Sequence, residues 1–361
     1  MPWANSRRFA PRHLWTGLVL ALLLMLTAAQ ASADAFSRAR LAPLIGSERL
    51  RLFTYGQALN TRTAPPALTR AMRQGLERSG FYHEGAPALI ARDLRFTPVL
   101  AWDENINGGY FNDTFNLYGL SFQVDPANMA RAGLVLGGRL TGEARLAWGP
   151  GRLLDFSAST EIAWSPRHDI GRGNAQLSAC ARNHLTGWTF ADVCATAQAG
   201  RRSLSSSHST AVSASLAHLF ASGAAYHEVT VELERLHLAE GGQNTVSLGW
   251  NAVWNRATTG LSLTLGEPIP GQNATRARVS AQASWLWGSR PVTLSAWHMQ
   301  AGGGMLMGLP RQDRLTGIGL TLQPRPGLSV ELMHQVTTSS IDLFAEARTG
   351  LSVRFQLDPR R

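Results

Sequence analysis

The strongest constraint in this sequence is an alternation that runs from residue 134 to residue 164. Leu134, Leu136, Gly138, Leu140, Gly142, Ala144, Leu146 and Trp148 are separated by Val135, Gly137, Arg139, Thr141, Glu143, Arg145 and Ala147. After Gly149, Pro150 and Gly151 the pattern resumes: Leu154, Phe156, Ala158, Thr160, Ile162 and Trp164 alternate with Leu153, Asp155, Ser157, Ser159, Glu161 and Ala163. Side chains on a strand switch faces at each residue, so this stretch is an antiparallel hairpin with one apolar and one charged face. Each arm exceeds the usual strand of about 5–6 residues. Each also exceeds the roughly 9–11 residues with which a tilted strand crosses a bilayer.

The unit repeats. The same phase appears in Val246, Leu248, Trp250, Ala252 and Trp254, in Leu261, Leu263 and Leu265, and in Val279, Ala281, Ala283, Trp285 and Trp287. The pattern predicts strands at 114–124, 134–148, 152–164, 174–184, 187–198, 207–220, 226–238, 244–255, 257–266, 275–287, 290–300, 313–323, 327–337 and 341–357. Links after 148, 184, 255, 287 and 323 are short. The alternate links 125–133, 165–173, 199–206, 267–274 and 301–312 are mostly longer. Outer-membrane barrels have short periplasmic turns and longer outside loops, which puts the chain's end in the periplasm. The expected fold is an all-β transmembrane antiparallel barrel of about 14 strands. Residues 92–102 contain Pro98 and read as an edge or non-membrane strand; if they join the barrel with 49–55 as partner, the count becomes about sixteen.

Composition agrees with this architecture. Only 16% of the 361 residues are charged, and no stretch after the N-terminus is apolar for the length of a membrane helix. Residues 1–33 read as a signal peptide: Arg7, Arg8 and Arg12, an apolar core over 14–26, and Ala31, Ser32 and Ala33 before Asp34. The formal charge of +10 falls to +7 without them, and every basic residue is Arg. These arginines are dispersed among acids on strand faces, which argues against a nucleic-acid partner. Residues 34–92 form a short, partly helical periplasmic segment, a plug or a leader to the barrel at 93–361. Within it, Leu68, Met72 and Leu76 share helical spacing between Pro65 and Gly80, with Pro65 and Pro66 as a start and Gly80 as a stop.

Several side chains can be placed by phase alone. Trp148, Trp164, Trp254 and Trp287 lie on the apolar face near strand ends, where a membrane-interface girdle belongs. Arg139, Glu143, Arg145, Asp155, Glu161, Glu228, Glu232, Glu234, Arg276, Arg278, Gln282, Glu331, Glu346, Arg348 and Arg354 occupy the opposite phase and are expected to line the lumen. They would set the field of a pore, or fill the lumen with salt bridges. Cys180 and Cys194 are equidistant from Gly187 and so fall opposite each other across a hairpin, within disulfide reach in an oxidising compartment. His218 is expected to face His227, and His208 to face His237; these read as polar rings at the rims of the lipid-facing band rather than as a metal pair. No nucleophile set, metal site or cofactor motif stands out. His208 and Ser209 have no acid placed beside them. Asp103 to Gly109 offers hard oxygens but lacks the twelve-residue calcium-loop pattern.

Two resemblances follow from particular residues. The stretch Gly350, Leu351, Ser352, Val353, Arg354, Phe355, Gln356, Leu357 resembles the terminal strand signal of Gram-negative outer-membrane proteins, although Asp358, Pro359, Arg360 and Arg361 follow it. It implies residence in the outer membrane, with periplasmic chaperones, the barrel-assembly machinery and outer-membrane lipid as partners. Residues 98–109, with Asn105, Ile106, Asn107, Gly108 and Gly109, followed by about fourteen strands, resemble the barrel module of the surface lipoprotein assembly modifiers. That resemblance implies exported lipoproteins as partners. The tetratricopeptide array of that family is absent here. The expected function is passage across the outer membrane, as a porin-like pore for small polar solutes or as an export or display barrel.

Overall fold

The computed structural model describes residues 35–60, 65–238 and 241–355. The expected signal peptide and the end of the terminal strand signal lie outside them. Three helices come first: α1 (Ala35–Leu41), α2 (Glu48–Leu59) and α3 (Pro66–Arg78). The strands are β1 (Ala88–Asp103), β2 (Thr114–Leu117), β3 (Leu120–Gln123), β4 (Gly133–Gly149), β5 (Arg152–Ser165), β6 (Ile170–Thr186), β7 (Thr189–Arg201) and β8 (Ser206–Ser222). They continue as β9 (Ala225–Leu238), β10 (Gly241–Val253), β11 (Ala257–Gly266), β12 (Ala274–Trp287), β13 (Arg290–Leu306), β14 (Leu309–Arg325), β15 (Leu328–Ser339) and β16 (Glu346–Phe355).

Fourteen of these strands, β1 and β4 to β16, close into one antiparallel barrel in which each pairs with its sequence neighbours. β1 and β16 complete the ring through register pairs from Val99↔Arg354 to Trp102↔Leu351. The count matches the periodicity, but one member differs. Residues 92–102 belong to β1, a full barrel strand that pairs with β4 from Ala88↔Ala147 to Asp103↔Gly133. Pro98 removes a single donor from a sixteen-residue strand, which the remaining ladder tolerates. Residues 114–124 are not a barrel strand. Tyr118 and Gly119 both adopt positive φ, 52° and 77°, and fold the stretch back into the small β2–β3 hairpin. The sixteen-strand alternative fails because residues 49–55 lie in α2, whose first turn is capped by the Ser47 hydroxyl accepting from Leu50 N–H.

Other boundaries shift for similar local reasons. The 301–312 link is strand on both sides of a two-residue turn at Met307 and Gly308, both with positive φ. Residues 342–344 form a helical turn, so the last strand begins at Glu346. β8 and β9 join through a two-residue turn, with Ser222 opposite Ala225. His227 therefore faces Phe220 and His237 faces Thr210, two residues away from the expected histidine pairs.

All two- and three-residue turns that follow β4, β6, β8, β10, β12 and β14 lie at one rim, as do the start of β1 and the end of β16. Gly151, in the β4–β5 turn, has φ +67°, and a Cβ there would stand 2.8 Å from His184 Cβ. The opposite rim carries the long connection 104–132. The outward face is apolar and exposed: Phe96, Leu140, Ile162, Leu177, Leu233, Leu248, Ile318 and Leu332 are all open on it. A soluble protein buries such residues; a barrel in a bilayer presents them to acyl chains. Trp148, Trp254 and Trp287 sit at the short-turn rim and Trp164 near the other. Trp254 lies one residue past β10 and donates its indole N–H to Thr259 Oγ1 at 2.8 Å. The register also places Trp102, Trp250 and Trp285 on this outer face.

Candidate functional site: the barrel lumen

The inward face is identified by what packs on it. Phe190, Leu219, Tyr226 and Val253, from four consecutive strands, form a buried cluster with Leu41, Ile45, Leu50 and Phe53 of the N-terminal segment. One short helical unit can touch all four strands and also β4 only from inside the ring. Register then carries the face around the wall. Glu228, Asn251, Gly260 and Gln282 oppose one another in turn, as do Thr230, Gly249, Ser262, Ser280, Trp297 and Gly317. Hydroxyl pairs bridge neighbouring strands along this wall: Ser247 to Thr264 at 2.8 Å, Ser262 to Ser280 at 2.6 Å and Ser284 to Thr293 at 2.8 Å. Trp297 lies flat on Gly317, where a Cβ would stand 2.2 Å from the indole. At mid-height the wall is wet: Arg278 and Gln282 are exposed, and Glu232, Ser262 and Ser280 are partly so.

Toward the long-loop rim the lumen is crossed by a charged network. Arg139 donates to Glu161 at 2.6 Å, and Glu161 lies 3.5 Å from Arg172. Arg172 reaches Asp103 at 2.8 Å, and Arg202 approaches the same carboxylate at 3.6 Å. Burial pulls the Arg202 guanidinium below its usual range; Asp103 opposes this, while Arg172 and Arg348 add to it. Arg348 pairs with Glu346 on β16. The connection 104–132 folds onto this network. The Asn105 side chain bonds both the N–H and the C=O of Gly109, and the Asn107 side chain donates to Met129 C=O and accepts from Arg131 N–H. Arg202 donates to Asn105 C=O, Glu104 accepts from Thr349 N–H, and Asn112 donates to the carbonyls of Asp342 and Ala345. The segment from Asp103 to Gly109 is thus a clasp that ties the long connection to strand ends on both flanks of β1.

The short-turn rim is occupied by α1 to α3. Arg145 donates to Glu48 at 2.8 Å and lies 3.6 Å from Asp155, which also accepts from Arg182 at 3.0 Å. Arg49 pairs with Asp192 and lies over the Phe190 ring. Arg38 is buried and donates to Asn255 Oδ1 at 3.0 Å and to Gly223 C=O at 2.9 Å, with its guanidinium over Tyr226. Phe53 meets Trp188 and Tyr226 edge-on at centroid distances of 4.9 and 5.7 Å. Tyr55, buried between the helices, has its phenol pushed up by burial and partly restored by Arg51.

The residues singled out by phase are therefore distributed over three levels. Arg139, Glu161, Glu346 and Arg348 belong to the upper network; Arg145, Asp155 and Glu228 lie beside the helices. Arg354 pairs with Glu331 at 3.1 Å near the short-turn rim. Glu143, Glu232, Glu234 and Arg278 stand on the wall and form no ion pair with another described residue. Arg276 falls at a bulge between Thr275 and Ala277, outside the regular alternation. Cys180 and Cys194 are directly opposed and disulfide-bonded on the lumen face, in the row of Asp155 and Ser213. Sequence reasoning did not place Arg172, Arg182, Asp192 and Arg202 on the lumen, and it read Asp103 only as a candidate cation ligand or turn residue. Arg172, Arg182 and Asp192 share the parity of the two cysteines, which was a usable signal; Asp103 and Arg202 sit at strand ends, where parity says little.

No protein-family model and no curated protein matches this sequence. Among solved structures, the outer membrane protein OpdK of Pseudomonas aeruginosa is 13% identical, with 73% of this chain covering 99% of that one at a TM-score of 0.38. The outer membrane channel DcaP of Acinetobacter baumannii is 12% identical, with coverage of 77% and 99% and a TM-score of 0.43. OprB of Pseudomonas putida is 8% identical, with coverage of 80% and 96% and a TM-score of 0.43. The closed barrel described above rests on strand pairing within this chain and takes nothing from these likenesses.

Proposed function

We propose that this chain is exported by its N-terminal signal and resides in the outer membrane as a pore for small polar solutes. The observation that supports this reading is the water-accessible polar wall at mid-height. Among the described residues, the buried apolar clusters inside the ring lie at the two rims, and the level carrying Glu232, Arg278 and Gln282 is open or partly open to solvent. A filled barrel would bury these positions. The upper network, with the connection 104–132 tied across it, acts as the size- and charge-selective constriction. Helices α1 to α3 act as a plug at the periplasmic rim. Periplasmic chaperones and the barrel-assembly machinery deliver the chain to the membrane. No catalytic role or cofactor is assigned.

The test is single-channel current from the purified, heat-modifiable barrel in a planar bilayer. The pore reading expects steps whose ion selectivity shifts in opposite directions in Glu232→Gln and Arg278→Gln. A folded barrel that carries no current, with loss of surface lipoprotein when the gene is removed, would favour the export role implied by residues 98–109.

A further inference from the structure

Helix α1 does more than face the lumen. Arg38 points inward to Asn255 and Tyr226, whereas Arg40, two residues on and so about 200° around the helix, is exposed at the rim. It lines a cleft of about 670 Å³ that runs from α1, across the β10–β11 turn, onto the outer face of β12. Arg256 lines the same cleft from that turn, and no carboxylate lines it. Neither arginine forms an ion pair with another described residue. The outer floor is apolar, made by Ala257, Ala283 and Trp285, while Leu41 and Leu286, which belong to the packing inside the ring, close its inner end. Ala257 stands directly opposite Trp285 in the register, and its small side chain leaves a slot beside the indole on the lipid-facing side. The cleft lies at the girdle level set by Trp254 and Trp287.

Two guanidiniums above an indole-walled apolar slot match one class of ligand. Arginine pairs with phosphate oxygens through parallel N–H bonds and carries less hydration than lysine, so it holds phosphate at a half-dry boundary. Trp at an interface packs its ring on acyl chain while its edge meets headgroups. We propose that this cleft binds one glycerophospholipid of the bilayer leaflet on the short-turn side, with an anionic headgroup between Arg40 and Arg256 and an acyl chain along Trp285. The proposal rests on the membrane reading above. Because α1 belongs to the helical unit inside the barrel, the bound lipid joins that unit to the rim.

The test is native mass spectrometry of the heat-modifiable barrel after incubation with phosphatidylglycerol or phosphatidylcholine. The proposal expects one phosphatidylglycerol retained under activation that strips phosphatidylcholine, and retention at least about tenfold lower in Arg40→Gln/Arg256→Gln, as loss of charge-assisted bonds implies. Arg290→Gln, at the same rim but outside the cleft, should retain the lipid as wild type does. Equal retention of the two lipids, wild-type retention in the double variant, or equal loss in Arg290→Gln overturns the cleft alone. A wild-type chain with no heat-modifiable form overturns the membrane barrel and the cleft together.

Discussion

Truncating Phe53 to alanine should unseat the helices while leaving the barrel closed. Phe53 is 4% exposed, at the centre of the cluster formed by α2 with Phe190, Leu219, Tyr226 and Val253. Removing a buried phenylalanine side chain costs about 3–5 kcal/mol, including the cavity it leaves. Its edge-on contacts with Trp188 and Tyr226 are part of that loss. None of the barrel's ladder bonds involves this side chain, so the cost falls on the docking of α1 and α2. At about 1.4 kcal/mol per tenfold, the equilibrium for undocking rises by roughly two to three and a half decades. Hydrogen exchange on Phe53→Ala in detergent should show this directly: the amides of α2 exchange faster by about that factor, and those of β7 to β10 keep their protection. Wild-type exchange in α2 would show that the helices are not held by this cluster. Simultaneous loss of protection in the strands would show that helices and barrel form one cooperative unit, which contradicts independent docking of the helices.

Three further outcomes follow from the lumen geometry. In Gly317→Val the new side chain overlaps the Trp297 ring, which must swing into the lumen; single-channel conductance should fall while heat-modifiable migration persists, and unchanged conductance would place Trp297 elsewhere. Replacing Cys180 and Cys194 by serine removes a cross-link spanning 14 residues, worth about 3 kcal/mol in a chain-entropy account; the urea midpoint should fall with conductance unchanged. In Arg202→Met, Asn105 C=O loses its donor and Asp103 keeps the Arg172 ion pair and the Asn105 N–H; protease added from outside should then cut within 104–132 at least about tenfold faster, as expected when a bond to a charged group is lost.

The barrel was legible because alternation carries both the strand and its two faces. It failed where local chemistry overrode it. Gly119 folds residues 114–124 back on themselves, and Pro98 disguised β1, a strand whose other residues pair normally. The helices at 35–59 were invisible for a different reason. Their apolar residues Leu41, Ile45, Leu50 and Phe53 pack on the inside of a ring, so they need no regular stripe. The histidine register slipped by two because turn length, which sets hairpin register, cannot be read from periodicity. The clasp at Asp103 to Gly109 depends on partners 97 and 245 residues away, Arg202 on Asn105 C=O and Thr349 N–H on Glu104, and only the closed ring brings them together. The ion pairs of the lumen were half legible: parity gives the face, but not which residues meet across it.

The central claim is that the face carrying Gln282 meets water and the face carrying Leu248 meets lipid. Both native cysteines are bonded, and no free thiol exists among the described residues. A single cysteine introduced as Gln282→Cys or Leu248→Cys can therefore be probed with a charged, membrane-impermeant thiol reagent during a bilayer recording. The structure predicts that Gln282→Cys reacts within the recording and lowers the current, while Leu248→Cys stays unmodified. Modification of Leu248→Cys with Gln282→Cys untouched would turn the barrel inside out and contradict the account.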